Sequence, residues 1–211
     1  MTHKQFTYKE LLTFGWNTFK QHAWFLVALT FLYFLISFIV ADISVIRDIV
    51  SMLMSIALTA VALVLVDGHT PQYSQLLTPF KTYKVTLHYF LASILYMLIV
   101  LVGLILLILP GVYLLVRLQF FAYLLVEHEN MGVVQSLKKS MEMTKGRFWS
   151  LFGFGLVFIL INIVGFIALG VGLFITIPVT CIAYARLYRK LSTETPTHTE
   201  HHHGERHLAT A

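Results

Sequence analysis

The chain has 211 residues, of which 58% are hydrophobic and 12% charged, whereas a soluble domain carries about 25% charged residues; a water-soluble fold is thereby excluded. The formal charge of +5 sits in short Lys and Arg clusters beside apolar runs, which makes anionic lipid headgroups the expected partner and argues against nucleic acid. The single cysteine, Cys181, permits no intramolecular disulfide and is expected to pack in a core.

In chain order, the first element is amphipathic. Thr7 and Glu10 have capping-box spacing, and Leu12, Trp16, Phe19 and Ala23 share one helical face with Lys9, Asn17 and Lys20 off it. A helix lying in the membrane interface is expected there. The apolar run over residues 23–41 is too long and too aromatic for the core of a signal peptide, so it reads as an uncleaved first span. The run over residues 49–66 is bracketed by Asp48 and Asp67 and carries Ser51, Ser55 and Thr59 on one stripe, suited to close helix packing. The third run (residues 89–109) and the fourth (112–126) are separated only by Pro110 and Gly111, which predicts a tight hairpin turning at that dipeptide. The fifth (149–169) and sixth (171–188) are joined by Gly170 and Gly172 in a second hairpin, with Pro178 inside the last span.

A repeat is visible ahead of the odd-numbered spans. Leu12, Leu77 and Leu137 each precede an aromatic by twelve residues, and the aromatics are Trp24, Tyr89 and Trp149. In the last copy Val134, Leu137, Met141 and Phe148 oppose Lys138, Lys139, Glu142 and Lys145, whereas Pro79 makes the middle copy less regular. The expected fold is therefore all-α: a polytopic bundle of six transmembrane helices with three amphipathic interfacial helices preceding spans 1, 3 and 5. Trp16, Trp24, Tyr89 and Trp149 would be the headgroup-level anchors. Nearly all flanking Lys and Arg residues fall on one side of this arrangement, with Arg47 alone on the other, so that side, with both termini, is expected in the cytoplasm.

The segment LPGVYLLVRLQFFAYLLVEHENMGVVQSLKKSMEMTKGRFWSL, residues 109–151, carries a Pro-Gly dipeptide, an apolar span ending in an acidic residue, and a Ser-Leu-basic-x-Ser helix leading into the next span. Through Pro110, Gly111, Glu127, Ser136, Leu137, Lys138, Ser140, Thr144 and Trp149 it resembles the YciC-type bacterial inner-membrane proteins and the related membrane domains fused to some glycerophosphodiester phosphodiesterases. The resemblance implies a multi-span protein of the bacterial plasma membrane. It brings no substrate and no catalytic residue, and no phosphodiesterase domain is present.

Among polar residues within spans, Arg117 is the sharpest. It lies ten residues from Glu127, about 15 Å into a hydrocarbon core about 30 Å thick, and facing lipid there would cost at least about 2.5 kcal/mol. Gln119 points about 160° away around the same helix, and Asn162 reaches a comparable depth in the fifth span. Arg117 with Asn162 is the expected buried pair, and Arg117, Gln119 and Asn162 are the candidate residues for binding an anionic solute or lipid. The alternative for Arg117 is an interhelical hydrogen-bond clamp.

Residues 1–191 read as one membrane domain. Residues 192–211, with five clustered histidines, read as a disordered cytoplasmic tail lacking the fixed geometry a structural metal site needs. No zincin, Walker or nucleophile-elbow pattern occurs, and the carboxylates flank the spans instead of lying within them; neither cofactor nor metal is expected. The reading is a noncatalytic membrane protein serving envelope maintenance or as a scaffold, with a homo-oligomer as an admissible assembly. The alternative is a transporter or channel for a small anionic solute or lipid with Arg117 in its path.

Overall fold

The computed structural model describes residues 7–42, 44–72, 83–168 and 170–194, and among them it contains helices and no strands. We number the helices α1 (Tyr8–Gln21), α2 (Ala23–Ile39), α3 (Ser44–Val66), α4 (Tyr83–Leu106), α5 (Ile108–Leu118), α6 (Phe121–Glu127), α7 (Val133–Met143), α8 (Phe148–Ile167) and α9 (Leu173–Glu194). Leu77 and Pro79, the middle interfacial helix built on them and the His-rich tail lie outside the described residues.

Among the described residues four segments are long and apolar enough to cross a bilayer, Ile46–Val66, Lys84–Leu106, Ile108–Glu127 and Phe148–Ile167, and a fifth is reached only if α1 and α2 count together as one bent span. The two other expected spans fall short for identifiable reasons. Helix α2 has 17 residues and meets α1 at a 93° bend, and α9 carries Arg186, Arg189 and Lys190 in its last turns. Helix α9 also runs three residues beyond the expected domain limit at residue 191, and it continues through Pro178. There the Thr180 hydroxyl donates to the Thr176 and Ile177 carbonyls, 2.8 and 2.9 Å away.

The first hairpin corrects the sequence reading. The chain leaves helical geometry at Leu107 (φ −164°, ψ 139°), and Pro110 and Gly111 belong to the first turn of α5. Proline is tolerated in a first turn because the N–H it lacks would have no intrahelical partner. Gly111 serves packing: a Cβ there would come within 2.6 Å of the Leu104 backbone nitrogen. The fourth crossing segment thereby gains residues at both ends and reaches 20, at Ile108–Glu127.

Two cores flank α5 and α6. On one side Val116, Phe120, Tyr123 and Leu124 join residues of α1, α2, α3, α8 and α9; on the other Leu118, Phe121 and Leu125 pack with Ile56, Tyr89, Ala92 and Leu137. Most of the deepest residues of the larger core come from α9, where Ile182, Ala183, Leu187, Tyr188 and Leu191 are buried, joined by Leu11 and Phe120. Helix α1 lies against α9 with Gly15 at the contact, where a Cβ would approach the Val179 carbonyl oxygen to 2.6 Å. This close approach decides which face of α1 is covered. Leu11, Gly15, Thr18 and Phe19 are buried while Trp16 is 45% exposed, so the face packed on protein shares only Phe19 with the Leu12, Trp16, Phe19 and Ala23 face expected at the membrane interface.

The other proposed anchors divide. Trp24 and Trp149 are 88% and 78% exposed, whereas Tyr89 is 7% exposed. Its hydroxyl bonds the Ser55 hydroxyl at 2.9 Å and its ring packs near Phe121. Tyr89 therefore joins α4 to α3 instead of facing outward, because it falls on the side of α4 that meets its neighbours.

Candidate functional site

The polar interior is organised by a discontinuity between α5 and α6. Gln119 and Phe120 interrupt the helix, and a free backbone group in hydrocarbon would be costly. Helix α7 answers it from alongside. Its Ser136, Ser140 and the following Thr144 recur every fourth residue and are buried together. The Ser140 and Thr144 hydroxyls each donate to the Arg117 carbonyl at 3.0 Å, and Ser140 Oγ accepts the Phe120 N–H at 3.1 Å. The interruption is thus closed by side chains that any reading confined to the spans omits.

The same helix end holds the Arg117 side chain, which is 8% exposed. Its Nε donates to Thr144 Oγ1 at 2.9 Å, one Nη to the Tyr113 hydroxyl at 2.6 Å and the other to the Met141 carbonyl at 2.5 Å. Three of the guanidinium's five donors are therefore occupied, from three directions and by neutral oxygens. Among the described residues no carboxylate bonds Arg117, so the clamp works through dipoles: carbonyls at the C-terminal end of α7 are the favourable end of a helix for a cation.

Asn162 is not part of this clamp. Its Nδ2 donates to the Phe158 carbonyl at 2.8 Å and to Thr180 Oγ1 at 3.3 Å, and its Oδ1 accepts from the Thr176 hydroxyl at 3.1 Å. This network pins α8 to α9. The expected Arg117–Asn162 pair is thus not formed, because Arg117 turns toward α7, an element that a comparison of depths between spans leaves out.

Gln119 is one of four side chains among the described residues with a buried polar atom left unpartnered, the others being Ser37, His88 and Arg189, and of the four only Gln119 lines the two central clefts. Its Nε2 is buried without a hydrogen-bond partner. Two clefts meet at it, of about 370 Å³ and about 500 Å³, both lined by Gln119, Tyr123, Cys181 and Tyr184. The first extends between α5, α8 and α9 past Leu115, Leu151, Gly155 and Leu156; the second extends toward α2 and α3 past Tyr33, Ser51, Ser55 and Thr59. Cys181, expected as plain core packing, is partly exposed and lines both. Neither Arg117 nor Asn162 lines either cleft.

A charged cluster stands beyond the clefts. Arg189 bonds Asp67 at 2.6 Å and also Glu127, and Glu127 accepts the Tyr188 hydroxyl as well. This cluster ties the ends of α3, α6 and α9 together. Lys190 pairs with Glu10 and Arg147 with Glu194 near the same end of α9. Among the described residues no group of three or more His, Cys, Asp and Glu side chains is placed to hold a metal ion.

Residues 93–195 match the model of a family described as a protein of unknown function (DUF975). The matched stretch contains most of α4 and all of α5 to α9, hence Arg117 with its clamp, Gln119 with most of its cleft lining, and the Asn162 network. No curated protein and no solved structure matches the chain. Sequence reasoning named Arg117, Gln119 and Asn162 but missed Tyr113, Ser140 and Thr144 as partners. The four-residue spacing of Ser136, Ser140 and Thr144 was the available signal for a buried polar face on α7.

Proposed function

We propose that the chain is a noncatalytic multi-pass protein of the bacterial plasma membrane with a scaffold role in envelope maintenance. The observation that carries this reading is the engagement of Arg117 by protein: this basic side chain, deep in a crossing segment, is bound by Tyr113, Met141 and Thr144 through three of its five donors and lines neither cleft. An anionic solute would have to displace those partners to reach it. The alternative, a transport path through Arg117, loses support on that ground.

In this proposal α2 and α9 complete six spans, α1 and α7 are cytoplasmic-side amphipathic helices, and both termini are cytoplasmic. Support comes from the concentration of Lys84, Lys138, Lys139, Lys145, Arg147, Arg189 and Lys190 toward one side of the hairpins, and from the outward exposure of Trp24 and Trp149. Anionic headgroups on that face are the proposed lipid partners. The outward apolar face of α4, with Met97 and Ile105 exposed, would serve contact with lipid or with a second copy. The YciC-type resemblance of residues 109–151 supports the same class, and the match of residues 93–195 to a family of unknown function is compatible with it.

A double-mutant cycle tests the carrying observation. Arg117→Gln and Thr144→Val, alone and together, are compared by unfolding of the purified protein in detergent. A coupling of about 1–2 kcal/mol is expected for side chains sharing a buried hydrogen bond. Strict additivity with melting at the wild-type temperature would overturn the structural assignment of Arg117.

A further inference from the structure

The clefts at Gln119 differ from the rest of the polar interior in what they leave undone. Elsewhere Asn162, Ser140, Thr144 and Arg117 are bonded to protein. The Gln119 amide points a buried donor at no acceptor, and in hydrocarbon such a donor is unfavourable until something supplies an oxygen. Space for that something is present on both sides, and part of it lies over Gly155. A Cβ built on Gly155 meets nothing within 4 Å, although Gly155 lies within α8 between the buried Leu151 and Phe158.

The lining defines the chemistry of an occupant. No Lys, Arg, His, Asp or Glu lines either cleft, so the portion bound must be uncharged, since a buried ion there would have no counter-charge. The cleft beside Gly155 is walled by leucines, Phe158 and Ile159 and suits hydrocarbon; the cleft toward α3 offers the hydroxyl-bearing Tyr33, Ser51, Ser55 and Thr59.

The direction of access follows from how the charged end is closed. Gln119, Tyr123 and Glu127 stand at four-residue intervals, hence on one face of the α5–α6 segment. Above Gln119 the Tyr123 ring stacks on Tyr184 at 6.1 Å and on Tyr188 at 5.3 Å between centroids. Above those rings Glu127, Arg189, Asp67 and Tyr188 are bonded together. Aromatic packing capped by an ionic cluster bars passage from the charged end, which leaves the sides and the opposite end of the bundle as ways in, and the leucine-lined wall of the first cleft suits entry of hydrocarbon.

We propose that the clefts bind the acyl chain of a lipid, its ester carbonyl accepting from Gln119 Nε2 and its hydrocarbon lying past Gly155. The lipid's charged headgroup stays outside, where the lining has no cation to meet it. A scaffold need not hold such a ligand, so this site goes beyond the function proposed above, and its failure in the photolabelling test would leave the Arg117 clamp in place.

The full chain is reconstituted in phospholipid vesicles containing a trace of phospholipid with a diazirine in its acyl chain, irradiated, and its labelled peptides mapped. Wild type is expected to label in α8 around Leu156 and in α9 around Cys181, as well as on the outward face of α4 at Met97 and Ile105. Gln119→Leu removes the donor and Gly155→Leu fills the open space; each is expected to lower the α8 and α9 labelling roughly three- to ten-fold, the range of one net hydrogen bond or a few lost methylene contacts. Labelling of α4 should stay unchanged in both variants and so reports a folded, lipid-embedded chain. Unlabelled diacylglycerol should compete for α8 and α9, and a diether analogue lacking the carbonyl should compete more weakly. Labelling confined to α4 in wild type, or equal labelling of α8 and α9 in all three proteins, would overturn the proposal.

Discussion

Arg117 and Gln119 stand two residues apart on one membrane-embedded segment and face opposite sides, and their surroundings could hardly differ more. On the Arg117 side, α7 returns alongside the helix and brings Met141 and Thr144 to the guanidinium, with Tyr113 closing the third direction. On the Gln119 side no element brings an acceptor, and the chain leaves two clefts. The lesson concerns how an intramembrane polar residue should be read. Charge made Arg117 conspicuous in the sequence, yet its three bonds to protein make it a fastener. The neutral amide carries less intrinsic cost, and of this pair it is the one left available to a ligand.

The comparison can be broken most severely at Arg117. Arg117→Gln should lower stability by about 3–5 kcal/mol, because it removes a charged donor set and leaves Thr144 and Met141 with lost partners; loss of a folded, monodisperse species in detergent is the readout. Thr144→Val should cost about 1–3 kcal/mol, since Arg117 Nε and the Arg117 carbonyl each lose a partner; thermal unfolding in detergent measures it. At Gln119 the sign should reverse. Gln119→Leu replaces an unpartnered buried donor and should leave stability unchanged or raise it by up to about 1 kcal/mol, seen as an equal or higher melting temperature in lipid-free detergent. A destabilisation of Gln119→Leu comparable with that of Thr144→Val would erase the distinction between the two sides.

Much of the architecture was legible in the residues. Apolar runs of bilayer length placed α3, α4, α5–α6 and α8 because span length and hydropathy are properties of the chain alone. Hairpin corners were less legible: Pro110 and Gly111 signal a turn in general, but Pro is equally at home in a first helical turn, and the corner moved to Leu107. The protein-facing side of α1 was not legible, because its contact with α9 depends on Gly15, the residue with no side chain. Tyr89 was misread for the converse reason, as an aromatic near a span start that turns inward to Ser55. For the site, Arg117, Gln119 and Asn162 were picked out by polarity within spans. Their partners were not, since which neighbour faces each one is decided by the packing of α7, α8 and α9 and cannot be computed from depth along a helix.

The account rests on a polar interior closed to water, and native Cys181, which lines both clefts, reports on that directly. Wild-type protein in sealed vesicles would be exposed to a membrane-impermeant maleimide from the outside and, separately, from the lumen, with denatured protein as the labelling standard. Protection of Cys181 from both faces is the predicted result. Labelling from either face would establish an aqueous path into the bundle and contradict both the closed scaffold and the lipid-filled clefts.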